Sequence, residues 1–225
     1  MIYYNKKQLY DKVNEFRAKW QMRKAPYDPY EACRKEKRIT IDEMPYKTKG
    51  VRGMLKIDET GHHILLNSVR TKTEQNFDLA HELMHSVLHA SEDRTAFLCS
   101  LRITRNHYLE WQANEGAAEF LVPYREFLQD IRGIKESLRT EDDLYSFKFS
   151  EAVKFRVSVQ TITYRLETLK YEIRQNLGGI AVEDVAVVSN KAQLATAMAA
   201  LSLNEEYYGK KARKFKPLCV CDDGV

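Results

Sequence analysis

NFDLAHELMHSVLH, residues 76–89, contains the pentapeptide His81-Glu82-Leu83-Met84-His85, which has the form HExxH. On a helix, His81 and His85 lie one turn apart on the same face, so their two imidazoles can hold one zinc ion. Glu82 then lies beside the metal, where its carboxylate can take a proton from water. An ordinary helix with surface histidines could also contain these five residues, so the rest of the chain has to support the metal site.

Three short strands are predicted directly before this helix. A four-residue connection that contains glycine, residues 58–61, joins the last two strands as a hairpin. We therefore expect a small antiparallel three-stranded sheet, followed by a helix from about Thr73, as its N-cap, to His89. The predicted strands are residues 39–44, 51–57 and 62–67.

The third metal ligand must come from a separate element. A catalytic zinc site takes three protein ligands and leaves one position open, and no histidine after His85 fits the longer pattern HExxHxxGxxH. His89 lies on nearly the same face of the helix but a full turn further along its axis, so we expect it to cap or line the helix end. Residues 90–106 are predicted to form an irregular connection to a second helix.

This second helix, predicted over about residues 108–121, carries three glutamates that could supply the ligand. At about 100° per residue, Glu115 points roughly 140° away from Glu110, and Glu119 lies on the opposite side of the helix. Glu110 is therefore the preferred third ligand. Asn114 shares its face and could orient a ligand.

The composition is that of a soluble globular protein, with 225 residues of which 44% are hydrophobic and 30% charged. Its net charge of +4 is too small to indicate nucleic-acid binding. No apolar run approaches the ~18 residues that span a bilayer, and the charged N-terminus does not resemble a signal peptide, so we expect a cytoplasmic protein. Cys219 and Cys221 form a C-x-C without a second pair, which argues against a zinc knuckle.

Residues 149–155 and 158–173 have the apolar spacing of a helix-turn-helix. The second segment carries Glu167 and Glu172 as well as basic residues, so two packed helices are favoured over direct DNA binding. The elements predicted beyond them are a strand at residues 181–188, an alanine-rich helix at about 191–203 and a basic tail at 210–216.

Three segments taken together resemble the ImmA/IrrE family of metallopeptidases. The resemblance covers about residues 35–130 well and the helical pair at 149–173 more loosely. It implies an α+β fold in which the small sheet precedes a zincin-like helical core. We expect a metallopeptidase domain at residues 1–135, a helix-turn-helix-like region at 136–177 and a C-terminal extension at 178–225. The segments that carry the resemblance are Ile64–Asn67, Asn76–His89 and Glu110–Pro123.

The resemblance also implies the residues of the site. Zinc would be held by His81, His85 and Glu110. Glu82 would be the general base of an endopeptidase that cuts a helix-turn-helix transcriptional repressor. In this family the repressor is often encoded beside the peptidase, and cleavage answers damage or mobile-element signals.

The chain departs from the family pattern at two positions. Met84 stands where the family usually has glycine, and Gly116 stands where it usually has phenylalanine. Both are predicted packing positions, so they affect the cleft beside the metal rather than the ligands.

The sequence leaves open which donor would stabilise the oxyanion. His62, His63, His107 and Tyr108 are the candidates, and the adjacent His62 and His63 would point to opposite faces of a strand. That strand could also pair with an extended substrate. The alternative function is a regulatory DNA- or protein-binding module whose zinc is structural. Such a site needs a fourth ligand, for which His89 is the only nearby candidate.

Overall fold

The computed structural model describes residues 3–47, 50–90, 107–189, 191–192 and 202–208, and the backbone of residues 97–100. Within them the chain is α+β, as expected. The helices are α1 (Lys6–Lys19), α2 (Pro29–Lys35), α3 (Lys72–Leu88), α4 (His107–Leu121), α5 (Tyr124–Gly133), α6 (Glu141–Phe155), α7 (Val159–Thr168), α8 (Lys170–Leu177) and α9 (Leu203–Tyr208). The strands are β1 (Ile39–Met44), β2 (Val51–Asp58), β3 (Gly61–Asn67) and β4 (Phe97–Ser100), and short 3-10 helices lie at Lys135–Ser137 and Val182–Asp184.

The strands form one mixed sheet in the order β1-β3-β2-β4. The three predicted strands are present with nearly the predicted bounds. The expectation of an antiparallel sheet was wrong, because β1 runs parallel to β3 and only the β2 pairings are antiparallel. Alternating apolar residues fix which face of a strand is buried but not which strand lies beside it, so the sequence pattern could not separate the two arrangements.

β4 lies within the stretch that was predicted to be an irregular connection. It pairs antiparallel with β2, with Phe97 opposite Leu55 and Ser100 opposite Val51. Residues 91–96 and 101–106 of that stretch lie outside the described residues. Because β1 and β2 flank β3 on its two sides, β3 has no free edge, and the expectation that an extended substrate pairs with it was wrong.

The hairpin between β2 and β3 depends on one glycine. Asp58 pairs with Gly61, which leaves Glu59 and Thr60 as the turn. At Gly61 the φ angle is +151°, and an added Cβ atom would lie 2.5 Å from the carbonyl oxygen of Arg38. Only glycine therefore fits where the hairpin passes the start of β1.

A capping box begins α3. The Thr71 hydroxyl accepts a hydrogen bond from the Glu74 backbone N–H, and the Glu74 carboxylate accepts one from the Thr71 N–H. The predicted N-cap, Thr73, was wrong because the T-x-x-E spacing that permits these reciprocal bonds starts at Thr71. His89 is the C-cap, as expected, and residues 79–86 of the helix are all buried.

The chain falls into two compact units. The first comprises Met1–Tyr3 and Lys12–Leu121, and contains the sheet with α2, α3 and α4. The second comprises Tyr4–Asp11 and Val122–Val225, and contains α5 to α9. The three-part domain division expected from the sequence stays a prediction.

In the second unit, the apolar stripe predicted for the helical pair is buried. Phe155, Ile162 and Leu166 belong to it. α6 begins at Glu141, well before the predicted start, after the N-cap Thr140. The helix-turn-helix character of this pair stays a prediction.

The region after α8 differs from expectation. A 3-10 helix at Val182–Asp184 takes the place of the predicted strand at residues 181–188, so that prediction was wrong. Residues 193–201 of the predicted alanine-rich helix and the basic tail at 210–216 lie outside the described residues. Among the helices that are described, none combines the length and apolar character needed to cross a membrane.

Candidate metal centre

The packing of α3 against α4 in the first unit brings three predicted ligands together. α3 contributes His81 and His85, which lie on one face of the helix, and α4 contributes Glu110 from its first turn. Alanines of α4 that face the core, such as Ala113 and Ala117, are fully buried and allow a close approach between the helices. The cluster therefore exists only because two separate helices pack together.

The ligand atoms have the separations of a zinc site. His81 Nε2 lies 3.0 Å from His85 Nε2, and the two oxygens of Glu110 each lie 3.5 Å from one of these nitrogens. A tetrahedral zinc ion with bonds of about 2.0–2.1 Å holds its ligand atoms about 3.3 Å apart. Two imidazole nitrogens and one carboxylate thus converge on a single point, and the donor set fits zinc.

Burial sets the protonation states that a metal requires. It lowers the pKa of His85 to about 4, despite the opposing effect of the Glu110 carboxylate. For Glu110, burial alone would raise the pKa, but the adjacent imidazoles of His81 and His85 hold it well below its usual range. At neutral pH the site therefore offers a neutral imidazole at His85 and an ionised carboxylate at Glu110, the forms that bind metals.

The Glu82 carboxylate is buried between α3 and β2. A Cβ atom added to Gly53 of β2 would lie 3.1 Å from Glu82 Oε1 and 3.3 Å from its Cγ. Gly53 therefore leaves the space that the Glu82 side chain needs. Sequence reasoning missed Gly53, although an isolated glycine inside a strand is a signal of close approach by another group.

His89 contacts the ligand His85 and does not itself belong to the three-ligand cluster. Its Nδ1 lies 3.0 Å from Nδ1 of His85, on the ring edge that faces away from the ligand nitrogen. Its Nε2 lies 3.0 Å from Oε1 of Gln112 on α4. Both side chains are buried. Sequence reasoning did not single out Gln112, because a glutamine within a helix carries no signal of its own.

The other polar residues of α4 lie apart from the ligand cluster. Glu119 forms an ion pair of 3.3 Å with Arg17, and Glu115 is buried without belonging to the three-ligand group. Asn114 is buried, and its Oδ1 has no hydrogen-bond partner among the described residues. Within the part of the chain that the structure describes, no hydrogen bond of Asn114 Oδ1 supports the suggestion that this residue orients a ligand.

The four candidate oxyanion donors occupy different places. His62 faces α3, where its Nδ1 lies 2.6 Å from the hydroxyl oxygen of Ser86. His63 points to the other face of the sheet, where it contacts Thr40 at 2.8 Å. The two remaining candidates begin α4: His107 is exposed, and Tyr108 is half-buried.

Comparison with known proteins places this centre in a family. The sequence model of the M78 peptidases, described as an IrrE N-terminal-like domain, matches residues 34–167 and so includes the three ligands and Glu82. The chain belongs to the M78 peptidase family. This result confirms the resemblance to ImmA/IrrE proteins, and membership of a metallopeptidase family implies a metal.

A protein of Bacillus subtilis (strain 168) is also similar. It is YqaB, described only as uncharacterized, and it is 34% identical over 62 residues. The matched segment covers 28% of this chain and 33% of YqaB, so the chain spans about a third of the length of that relative. The similarity to YqaB is consistent with the M78 assignment.

Proposed function

We propose that this M78 peptidase family member is a zinc-dependent endopeptidase. The observation that carries the proposal is the convergence of His81, His85 and Glu110 at zinc-like separations. Glu82, the residue that follows the first ligand in the motif, is the proposed general base.

The roles of the side chains follow from their chemistry. When bound, zinc would act as a Lewis acid that polarises the scissile carbonyl and acidifies the attacking water. The Glu82 carboxylate accepts the proton of this water as the water attacks, and then donates it to the leaving amine. Burial of Glu82 beside Gly53 limits the positions open to the carboxylate, which favours one direction of proton transfer.

The proposed substrate is a helix-turn-helix transcriptional repressor. Its support is the resemblance to ImmA/IrrE peptidases, confirmed at the level of the family. We propose that cleavage takes place in the cytoplasm and answers a cellular signal, such as damage or the state of a mobile element. Direct binding of DNA forms no part of the proposal.

The alternative, a regulatory module with a structural zinc, lacks a specific observation in its favour. A structural site is closed by a fourth protein ligand, whereas the cluster found among the described residues has three. His89, the nearby candidate for the fourth, bonds to the Nδ1 edge of His85. The three-ligand set therefore supports a catalytic site over a structural one.

The test compares Glu82→Gln with the unaltered protein. The chain, loaded with zinc, is incubated with a helix-turn-helix repressor encoded beside its gene, and cleavage is followed by mass spectrometry. Glu82→Gln is expected to keep stoichiometric zinc and to lose cleavage by a factor of about 100 or more, because the proton acceptor is removed.

Glu74→Gln is the matched control for this test. It makes the same chemical change at the start of the same helix, where glutamine also serves in a capping box, so it should cleave like the unaltered protein. Equal cleavage by Glu82→Gln and the control would overturn the proposed role of Glu82. Purified protein that cannot be loaded with stoichiometric zinc would overturn the proposed function as a whole.

A further inference from the structure

A line of buried hydrogen bonds extends away from the metal centre. It runs from His85 to His89 over 3.0 Å, and from His89 to Gln112 over 3.0 Å. All three side chains are at most 1% exposed. We propose that Gln112, acting through His89, holds His85 in the one tautomer that can bind the metal. This inference rests on the metal site of the proposed function and does not depend on the substrate.

The direction of the line follows from the atoms at its far end. Gln112 presents Oε1, which can only accept, so Nε2 of His89 must carry the proton that it donates. A neutral His89 then has a bare Nδ1, which accepts a hydrogen bond from the Nδ1–H of His85. Nε2 of His85 is left without a proton and faces His81 and Glu110.

Tyr108 is the second partner of the Gln112 side chain. The two residues lie one turn apart on α4, and their side chains are hydrogen-bonded. Because the amide oxygen of Gln112 faces His89, the amide N–H group is the part of the side chain that faces the Tyr108 hydroxyl and donates to it. Tyr108 thereby supports the orientation in which Gln112 presents its oxygen to His89.

If the Gln112 amide were rotated so that its N–H group faced His89, the direction of every hydrogen bond in the line would be reversed. An N–H group of Gln112 facing His89 would leave Nε2 of His89 as an acceptor and put its proton on Nδ1. His89 would then donate to Nδ1 of His85, and the proton of His85 would lie on Nε2, the atom that must bind zinc. Gln112 and His89 are therefore positioning residues, since they act on the metal only through the tautomer of His85.

The first measurement is zinc affinity, by competition with a chromogenic chelator. Gln112→Leu removes the acceptor and is expected to weaken zinc binding by about 10- to 100-fold. Gln112→Glu keeps an oxygen acceptor at the same place and is expected to bind zinc within about threefold of the unaltered protein. A merely structural role would reverse this order, because a fully buried position tolerates leucine better than a carboxylate.

The second measurement reads the tautomer directly. In metal-free protein labelled with ¹⁵N-histidine, the His85 ring is expected to carry its proton on Nδ1, and Gln112→Leu is expected to give a mixture of both tautomers. Tyr108→Phe tests the same line of hydrogen bonds at a position that is only half-buried. It replaces Gln112→Leu in the experiment if that variant does not fold. It removes the acceptor that orients Gln112 and should also give a mixture.

The outcomes separate this inference from the proposed function. The inference is overturned if Gln112→Leu and Tyr108→Phe both keep the zinc affinity of the unaltered protein and both keep the His85 proton on Nδ1. This holds even if the enzyme cleaves its substrate. Unaltered protein that binds no zinc would overturn the proposed function, while the tautomer of metal-free protein would still test the line of hydrogen bonds. A mixture of tautomers together with weakened binding supports the inference.

Discussion

The two compact units both bury ionisable side chains, but they satisfy them in different ways. In the second unit, the Lys6 ammonium donates to Glu172 at 2.9 Å, and the Arg165 guanidinium donates to Tyr10 at 2.7 Å. In each of these pairs a donor meets an acceptor of the same protein. In the first unit, two imidazole nitrogens and the Glu110 carboxylate converge on one point.

This difference separates a structural network from a binding site. A buried polar group is costly unless it has a partner. The pairs Lys6–Glu172 and Arg165–Tyr10 of the second unit meet this requirement between side chains, although Oε2 of Glu172 has no hydrogen-bond partner among the described residues. The cluster of the first unit gathers groups that donate electron pairs, which one cation satisfies together. Both units bury charged groups. A bound cation is indicated only where several groups that donate electron pairs converge on one point.

The largest effect is expected from loss of the metal. Protein is first loaded at a free zinc concentration of about 1,000 times the dissociation constant for zinc. Adding a chelator should then lower its free energy of unfolding by about 4 kcal/mol. Tryptophan fluorescence suits the measurement, because Trp20 and Trp111 both belong to the first unit. His81→Ala should unfold identically with and without chelator, since it lacks one ligand. A chelator that leaves the unaltered protein unchanged would contradict the contrast between the units.

A smaller effect is expected in the second unit. Lys6→Met leaves Glu172 buried without its cation and should cost about 3 kcal/mol of unfolding free energy, measured by circular dichroism in urea. Zinc content should stay unaltered. Adding Glu172→Gln should recover most of the loss, because the charge is removed and an oxygen remains for the Val188 N–H. If the double variant is as unstable as Lys6→Met, the pair is not a self-contained network.

The sequence predicted those parts of the molecule that depend on local spacing. The HExxH helix, the first three strands and the second helix follow from periodicity and turn residues, and the structure has them within a few residues. Glu110 was preferred from its place on a helix face, and the structure brings it to His81 and His85. The roles of these residues stay proposals until they are tested.

What the sequence did not predict depends on contacts between distant segments. The parallel pairing of β1 with β3 is a choice of neighbour, which no periodicity encodes. Gly53 and Gln112 acquire their significance only when β2 meets α3 and α4 meets α3. Thr71 is different, because the sequence itself shows its capping-box spacing to Glu74, which Thr73 lacks.

The smallest effect on stability is expected from Gly53→Ala, which alters the converging cluster without removing a donor. The added Cβ atom would lie 3.1 Å from Glu82 Oε1, so the carboxylate must shift by a few tenths of an ångström. Cleavage should fall by about tenfold, because proton transfer depends on the position of the acceptor. Zinc content should not change, and unfolding free energy should change by less than about 1 kcal/mol, because a flexible side chain can yield.

Gly133→Ala is the matched control for this change, because an added Cβ atom there meets nothing within 4 Å. The control should keep full cleavage and zinc content. If Gly53→Ala cleaves as well as Gly133→Ala, the Glu82 carboxylate tolerates displacement, and the space beside β2 serves packing alone. If cleavage falls while zinc is retained, the first unit does more than gather ligands. Its sheet then also fixes the general base, a role that neither the Lys6–Glu172 nor the Arg165–Tyr10 pair of the second unit performs.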